Sequence, residues 1–241
     1  MRTFTGTTAS GGLTIGPVVR IDRGLIGLHR IVSDPYHERA LYDAAIVLAK
    51  DELSLLRKRA QDPKDADILL FQMALLEDES FTNEIGDYIA AGAGSAAAVE
   101  RAERIFAGRI SNIDDDYIRE RSVDVCDACR RVVDILDGRS RRPLQLEKPS
   151  ILAADLFYPS DLFSLDRSMI LGLVSDRDSV TSHAAIMARS MGIPALCRLG
   201  EGVAKNAEGH TVVLDAERSS LIVDPTPEQT EAARRRMARL E

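Results

Sequence analysis

Hydrophobic and polar positions follow two different grammars along the chain, and they change near residue 140. From Pro35 onward, Ala40, Leu41, Ala44, Ala45, Val47, Leu48, Leu53, Leu55 and Leu56 keep helical spacing with charges on the opposite face, which predicts an amphipathic helix. Pro63 interrupts it, and the same periodicity predicts further helices over about 66–76, 80–91, 96–110 and 114–136. Ser95 is expected to cap the fourth helix after the loop 91–95. Asp114, Asp115 and Asp116 suit the positive end of the fifth, and Asp137-Gly138 stops it.

Outside this block the pattern is that of strands. Gly11 and Gly12 mark a turn before a strand over 13–21, and apolar runs at 150–156, 169–174, 211–215 and 221–223 predict others. A helix over 182–191 lies among them. The N-terminal strand has no nearby partner in sequence, so it is expected to pair with the later strands. The helical block is then an insertion: an all-α bundle over 31–142, set into a discontinuous α/β domain of 1–30 plus 143–230, with 231–241 starting a linker helix.

Composition narrows the function classes. The 241 residues are 45% hydrophobic and carry a formal charge of -7, as in ordinary globular chains. The chain has no tryptophan, only 5% aromatics and an acidic balance, which argues against nucleic-acid binding. No apolar run is long enough to span a membrane, and three cysteines are too few for a disulfide framework, so a cytoplasmic location is expected. The charge is uneven: residues 33–139 carry a net -9 and the remainder a net +2. An acidic insertion is either an ordinary solvated helical surface or a face that steers a basic protein partner.

The chemistry concentrates in 172–195. An apolar strand runs into a polar loop that delivers His183 at the start of an alanine-rich helix, with Thr181 or Ser182 available as its cap and Gly192 and Pro194 ending it. The amide-rich start of a helix disfavours an imidazolium and favours a nearby anion, so a histidine there stays neutral and nucleophilic. A phosphoryl group on the ring would meet helix amides and the hydroxyls of Thr181 and Ser182. The plain alternative is a histidine that serves only as a cap or polar core residue.

The longer string Thr-Ser-His-Ala-Ala-Ile-Met-Ala-Arg-Ser, followed by Gly-Ile-Pro-Ala-Leu, resembles the phosphohistidine signature of the enzymes that use phosphoenolpyruvate. Phe71 with Leu75-Leu-Glu-Asp78, the stretch 114–125, the opening 9–17, and Ala153-Ala-Asp-Leu156 with Pro159-Ser160 are similar to enzyme I of the bacterial sugar phosphotransferase system. The resemblance covers the chain in order and implies the N-terminal half of that family. It implies a swivelling α/β domain phosphorylated on His183, with Thr181, Ser182, Arg189 and Tyr158 at the site. It also implies docking of HPr, the small phosphocarrier protein, on a face including Gln72, Leu75, Leu76, Tyr117 and Arg121.

By the same resemblance, phosphoenolpyruvate and Mg²⁺ belong to a C-terminal domain expected beyond this chain, and no metal or cofactor is expected within it. Asp178 and Ser179 stand where the family has glycines, Tyr158 where it has a threonine, and Gln72 where it has a histidine. Two other readings fit the residues: a divergent module that docks a phosphocarrier without transferring phosphate, and an enzyme I-like segment of a dihydroxyacetone kinase phosphotransfer subunit. Cys126 and Cys129, within one predicted helix, are expected to be core thiols, and Cys197 an apolar filler. Arg234, Arg235 and Arg236 are expected on a solvated helix face.

Overall fold

The helical spacing in the middle of the chain becomes five helices: α1 (Pro35–Arg59), α2 (Pro63–Glu77), α3 (Glu79–Ala90), α4 (Ser95–Ser111) and α5 (Asp116–Leu136). The computed structural model describes residues 2–21, 32–60, 63–139, 144–163 and 165–239. The chain divides into two units. A helical unit comprises Gly24–Arg142 and Tyr158–Phe163, and an α/β unit comprises Met1–Arg23, Pro143–Phe157 and Ser164–Glu241. The short helix α6 (Pro159–Phe163) therefore belongs with the bundle, although the sequence reading places it in the α/β domain.

In the bundle, Tyr42, Ala45, Ala49 and Leu53 of α1 form a buried stripe that meets Leu69, Phe81, Ile85, Ile89, Val99 and Val132 from the other helices. Each large side chain buried in this way stabilises the fold by about 1.5–3 kcal/mol before entropy is counted. Phe81 and Phe106 meet edge to face, with ring centroids 5.0 Å apart. Asp34, Asp78 and Asp115 cap α1, α3 and α5, accepting from the amides of His37, Phe81 and Ile118 at 3.0, 2.9 and 3.1 Å.

The cap of α4 differs from expectation. Gly94 occupies the N-cap, and Ser95 is already helical. The Ser95 amide and hydroxyl both donate to one oxygen of Glu38, at 2.9 and 2.7 Å, while the other oxygen accepts from the Ser33 amide and hydroxyl at 3.1 and 2.8 Å. A carboxylate from α1 thus satisfies the helix end that a serine hydroxyl was expected to satisfy. Burial alone would raise the Glu38 carboxyl, but these four hydrogen bonds outweigh it and hold the group down at about 2.

The α/β unit is built on one eight-stranded mixed sheet. Its strands are β1 (Arg2–Thr5), β2 (Thr7–Ser10), β3 (Leu13–Arg20), β4 (Ser150–Ala154), β5 (Ile170–Ser175), β6 (Ala195–Cys197), β7 (Thr211–Asp215) and β8 (Ser220–Val223). The spatial order is β1-β8-β7-β3-β4-β5-β6-β2. As expected, β3 joins the later strands, running parallel to β4 and antiparallel to β7. The central run β3-β4-β5-β6 is parallel, and β4 is buried along its whole length. The fold class is therefore the expected one, a discontinuous α/β domain carrying an inserted helical bundle.

Helices α7 (His183–Met191), α8 (Val203–Ala207) and α9 (Pro227–Met237) complete the unit. The helix expected as a linker from residue 231 starts at Pro227 instead, behind a Thr226–Gln229 capping box. Its Ala233 and Met237 pack with Leu13, Ile15, Val213 and Ile222, so it lies on its own sheet. Arg236 is not simply solvated, because its guanidinium pairs with the buried carboxylate of Asp215.

Candidate functional site

Ligand sites in parallel sheets lie at the carboxyl ends of the strands, and β5 ends there at Ser175. The apolar run of β5 is pressed closely into the unit at Gly172. A β-carbon at that position would stand 2.7 Å from Leu214 and 2.8 Å from the Pro194 carbonyl oxygen, so only glycine fits. Beyond β5, the loop 176–182 is tied down by its own side chains. Asp176 accepts from the amides of Gly202 and Ala204, both at 2.8 Å, and burial raises its carboxyl above the usual aspartate range against the pull of those amides. Arg177 grips Asp155 through two guanidinium nitrogens, with Nε at 2.7 Å. Asp178 is buried and accepts from the Phe157 amide at 3.1 Å, which joins the loops after β4 and β5.

The loop then delivers α7. Of the two candidate caps, Ser182 holds the position: it is buried, and its hydroxyl accepts from the Ala185 amide at 3.2 Å. Thr181 is exposed, and its hydroxyl pairs with that of Ser179 at 2.7 Å. His183 is therefore the first helical residue, half-buried at the positive end of the helix. Ala184, Ala185, Met187 and Ala188 bury the opposite face. Gly192 closes the helix in the left-handed conformation, as its sequence position suggests. One Arg189 guanidinium nitrogen donates to the carbonyls of Ala9 and Val180, both at 2.9 Å, and so pins the loop to β2. Arg189 is thus a positioning residue.

Tyr158 is the remaining residue expected at the site. It belongs to the segment that joins the helical bundle, where its amide donates to Asp161 at 2.8 Å.

The expected docking residues separate. Gln72 is fully buried, and its amide nitrogen donates to Asp127 at 3.1 Å; Leu76 is also buried, within the bundle core. Neither offers surface to a partner, which corrects the sequence reading. The cause is the composition of α2: Ile68, Leu69, Leu70 and Phe71, then Met73, Ala74, Leu75 and Leu76, surround Gln72 with apolar residues, so periodicity cannot tell which side faces out. Leu75 is half-buried against the core. Arg121 pairs with Asp124 at 3.0 Å and lies over the Phe71 ring at 5.3 Å, which brings the first turns of α5 to the middle of α2. The Tyr117 side chain lies outside the described residues. Exposed Leu70 and Ile118, next to this pair along their helices, were missed by the sequence reading. An apolar residue on an apolar helix carries no signal of its exposure.

Beneath this surface, Asp127 accepts from Gln72, from the Ser160 amide at 2.9 Å and from the Ser160 hydroxyl at 2.5 Å. It thereby holds the segment around α6 against the bundle. Burial pushes the Asp124 carboxyl up to about 7, against the Arg121 charge. Cys129 and Cys197 are buried, and burial pushes the Cys126 thiol up to about 12, so none has the character of a reactive thiolate. Among the described residues, no group of three or more metal-ligating side chains comes together, and no helix is long and apolar enough to cross a membrane.

Comparisons with known proteins identify the family. Residues 5–121 match the family of PEP-utilising enzymes in its N-terminal region, and residues 146–219 match the mobile domain of the same enzymes. The phosphoenolpyruvate-protein phosphotransferase of Bacillus subtilis is 29% identical over 95% of this chain and 41% of its own length. That of Listeria monocytogenes is 30% identical over 93% of this chain and 40% of its own length. The chain thus spans about two fifths of the length of these curated relatives. A solution structure of an enzyme I protein superposes with a TM-score of 0.76 at 26% identity, covering 98% of this chain and 99% of that one. The chain belongs to the phosphoenolpyruvate-utilising enzymes, and within them it corresponds to the N-terminal part of enzyme I, the phosphoenolpyruvate-protein phosphotransferase.

Proposed function

We propose that this chain carries a phosphoryl group on His183 and exchanges it with the phosphocarrier protein HPr, within a phosphotransferase system that begins at phosphoenolpyruvate. The observation that carries this reading is His183 as the first residue of α7, behind the buried Ser182 cap. The helix end disfavours a charged imidazole, so the ring keeps a lone pair for attack. In the exchange, a ring nitrogen of His183 attacks the phosphorus of the carrier's phosphohistidine. The carrier's P–N bond breaks as the new one forms, each ring keeps its own N–H, and the carrier leaves as neutral imidazole. The new negative charge then sits at the positive end of α7, two residues after the exposed Thr181. Ser182 keeps the helix end in register, and Arg189 holds the Val180 carbonyl so that the loop keeps its shape.

The acidic bundle is the docking side in this reading, with Leu75 and Arg121 retained from the sequence and Leu70 and Ile118 added in place of the buried Gln72 and Leu76. Phosphoenolpyruvate and Mg²⁺ are assigned to the C-terminal domain of the enzyme, which is the second partner of His183, and the whole system to the cytoplasm. The test is incubation with phosphorylated HPr, followed by mass spectrometry. The parent chain gains one phosphoryl group, and His183→Ala gains none. Unchanged labelling of His183→Ala would sink the assignment, and binding of HPr without any transfer would identify a docking module instead.

A further inference from the structure

Surface apolar residues are unevenly shared between the two units. Among the described residues of the α/β unit, Ile186 is the one large hydrophobic side chain that stands exposed, at 39%. It lies three residues after His183 on the outward face of α7, which puts the two β-carbons about 5–6 Å apart. The other outward polar groups of that face are engaged by their own chain: Arg189 donates to Ala9 and Val180, and the Ser190 hydroxyl donates to the Met187 carbonyl at 2.8 Å. Ile186 is the residue there with uncommitted area.

We infer that Ile186 is a contact residue for the phosphocarrier protein that exchanges a phosphoryl group with His183, an inference that rests on the function proposed above. Two imidazoles that pass a phosphoryl group between them must approach with reacting atoms about 3–3.5 Å apart before transfer. A protein brought that close covers the surface around His183 for at least one helical turn, and Ile186 falls inside that footprint. Its aliphatic surface then calls for an apolar patch beside the carrier's reactive histidine. A polar patch there would be desolvated against isoleucine without gaining hydrogen bonds. The contact is uniform in character: it holds the carrier before and during transfer and touches no reacting atom. Its loss therefore acts on KM and leaves kcat in place.

The experiment compares the full chain, Ile186→Ser and Ile186→Leu in initial-rate transfer from phosphorylated HPr. Labelling by phosphoramidate, a donor too small to need a docking surface, runs in parallel. In that control the donor's P–N bond breaks, the phosphoryl group goes to His183 and ammonia leaves. Ile186→Ser is expected to raise KM for phosphorylated HPr about fivefold with kcat within about twofold, and Ile186→Leu to restore it. Phosphoramidate labelling should be the same in all three. Unchanged KM in Ile186→Ser, with the parent labelled normally, overturns the contact and leaves the phosphotransfer reading standing. A matching loss of phosphoramidate labelling also overturns it, because the residue would then be supporting α7 rather than meeting a partner. A parent chain that takes no label from phosphorylated HPr overturns both.

Discussion

The two units bury charge in different ways. In the helical unit, the buried arginines are paired with carboxylates, Arg130 with Asp134 at 2.9 Å and Arg131 with the more exposed Glu52 at 2.7 Å, and Arg121 pairs with Asp124 at 3.0 Å, while Glu38 and Asp127 also take backbone amides. In the α/β unit the buried aspartates all take backbone amides, Asp176 from Gly202 and Ala204, Asp178 from Phe157 and Asp215 from Arg218, with Asp215 also pairing with an arginine, Arg236. Long helices satisfy their own backbone and leave side chains to pair with side chains, whereas a sheet with many loops has amides to spare. Their surfaces differ too. Val32, Tyr36, Val47, Leu48, Leu55, Leu70, Ile113 and Ile118 are exposed on the bundle, against Ile186 alone among the described residues of the α/β unit. A bundle whose order is internal can spend its surface on partners. In the α/β unit, the loop that leads into α7 and His183 is fixed by its own side chains.

The strongest test of this contrast is Asp127→Ala, which strips partners from Gln72 and Ser160 in the bundle interior. It should destabilise the helical unit by about 3–4 kcal/mol in urea unfolding followed by circular dichroism. Phosphoramidate labelling of His183 should persist in the folded protein. An unchanged unfolding midpoint would break the picture of a bundle held by side-chain pairs. Asp176→Ala comes next, at about 2 kcal/mol, through two unsatisfied amides. Here labelling of His183 should slow as well, and full-rate labelling would show that the amide caps do not set the loop.

The third test uses pH. Because the folded state raises Asp124 from 3.8 to about 7, it binds that proton more tightly than the unfolded chain, and stability contributed there falls as pH rises from about 4 through 7. Glu38 has the opposite sign: its depressed carboxyl stabilises the fold above about 4.5 and is lost as pH drops toward 2. Asp124→Asn should flatten the higher limb by about 1–2 kcal/mol between pH 5 and 8, read by urea midpoints, without moving the lower limb. The smallest effect belongs to the exposed stripe of α1. Leu48→Ser with Leu55→Ser should change stability by no more than about 0.5 kcal/mol; a larger loss would mean that the stripe is core.

Legibility in the sequence followed the strength of the local pattern. The helices α1, α3 and α5 were readable because one side of each is apolar; the aspartate caps Asp34 and Asp78 emerge only in the structure. The strands β1 and β2 were not, since Arg-Thr-Phe-Thr and Thr-Thr-Ala-Ser lack alternating large apolar residues. They exist through pairing with β8 and β6, far along the chain at the two edges of the sheet. At the site, the position of His183 at a helix start followed from Ser182, Gly192 and Pro194, all local signals. The hold of Arg189 on Ala9 spans 180 residues and has no local trace. Asp178 read only as a departure from a family glycine, yet it is buried and ties two loops together.

The segment Tyr158–Phe163 carries a consequence for how the gene can be divided. Its Ser160 completes the partners of Asp127, yet it is encoded after β4, beyond the contiguous block of the bundle. A fragment cut at the ends of that block would inherit a buried carboxylate without its serine. Recombination that exchanged the block alone between relatives would inherit the same mismatch. The insertion is thus a unit in space without being a unit of transfer, and a graft has to bring six residues from another part of the reading frame with it.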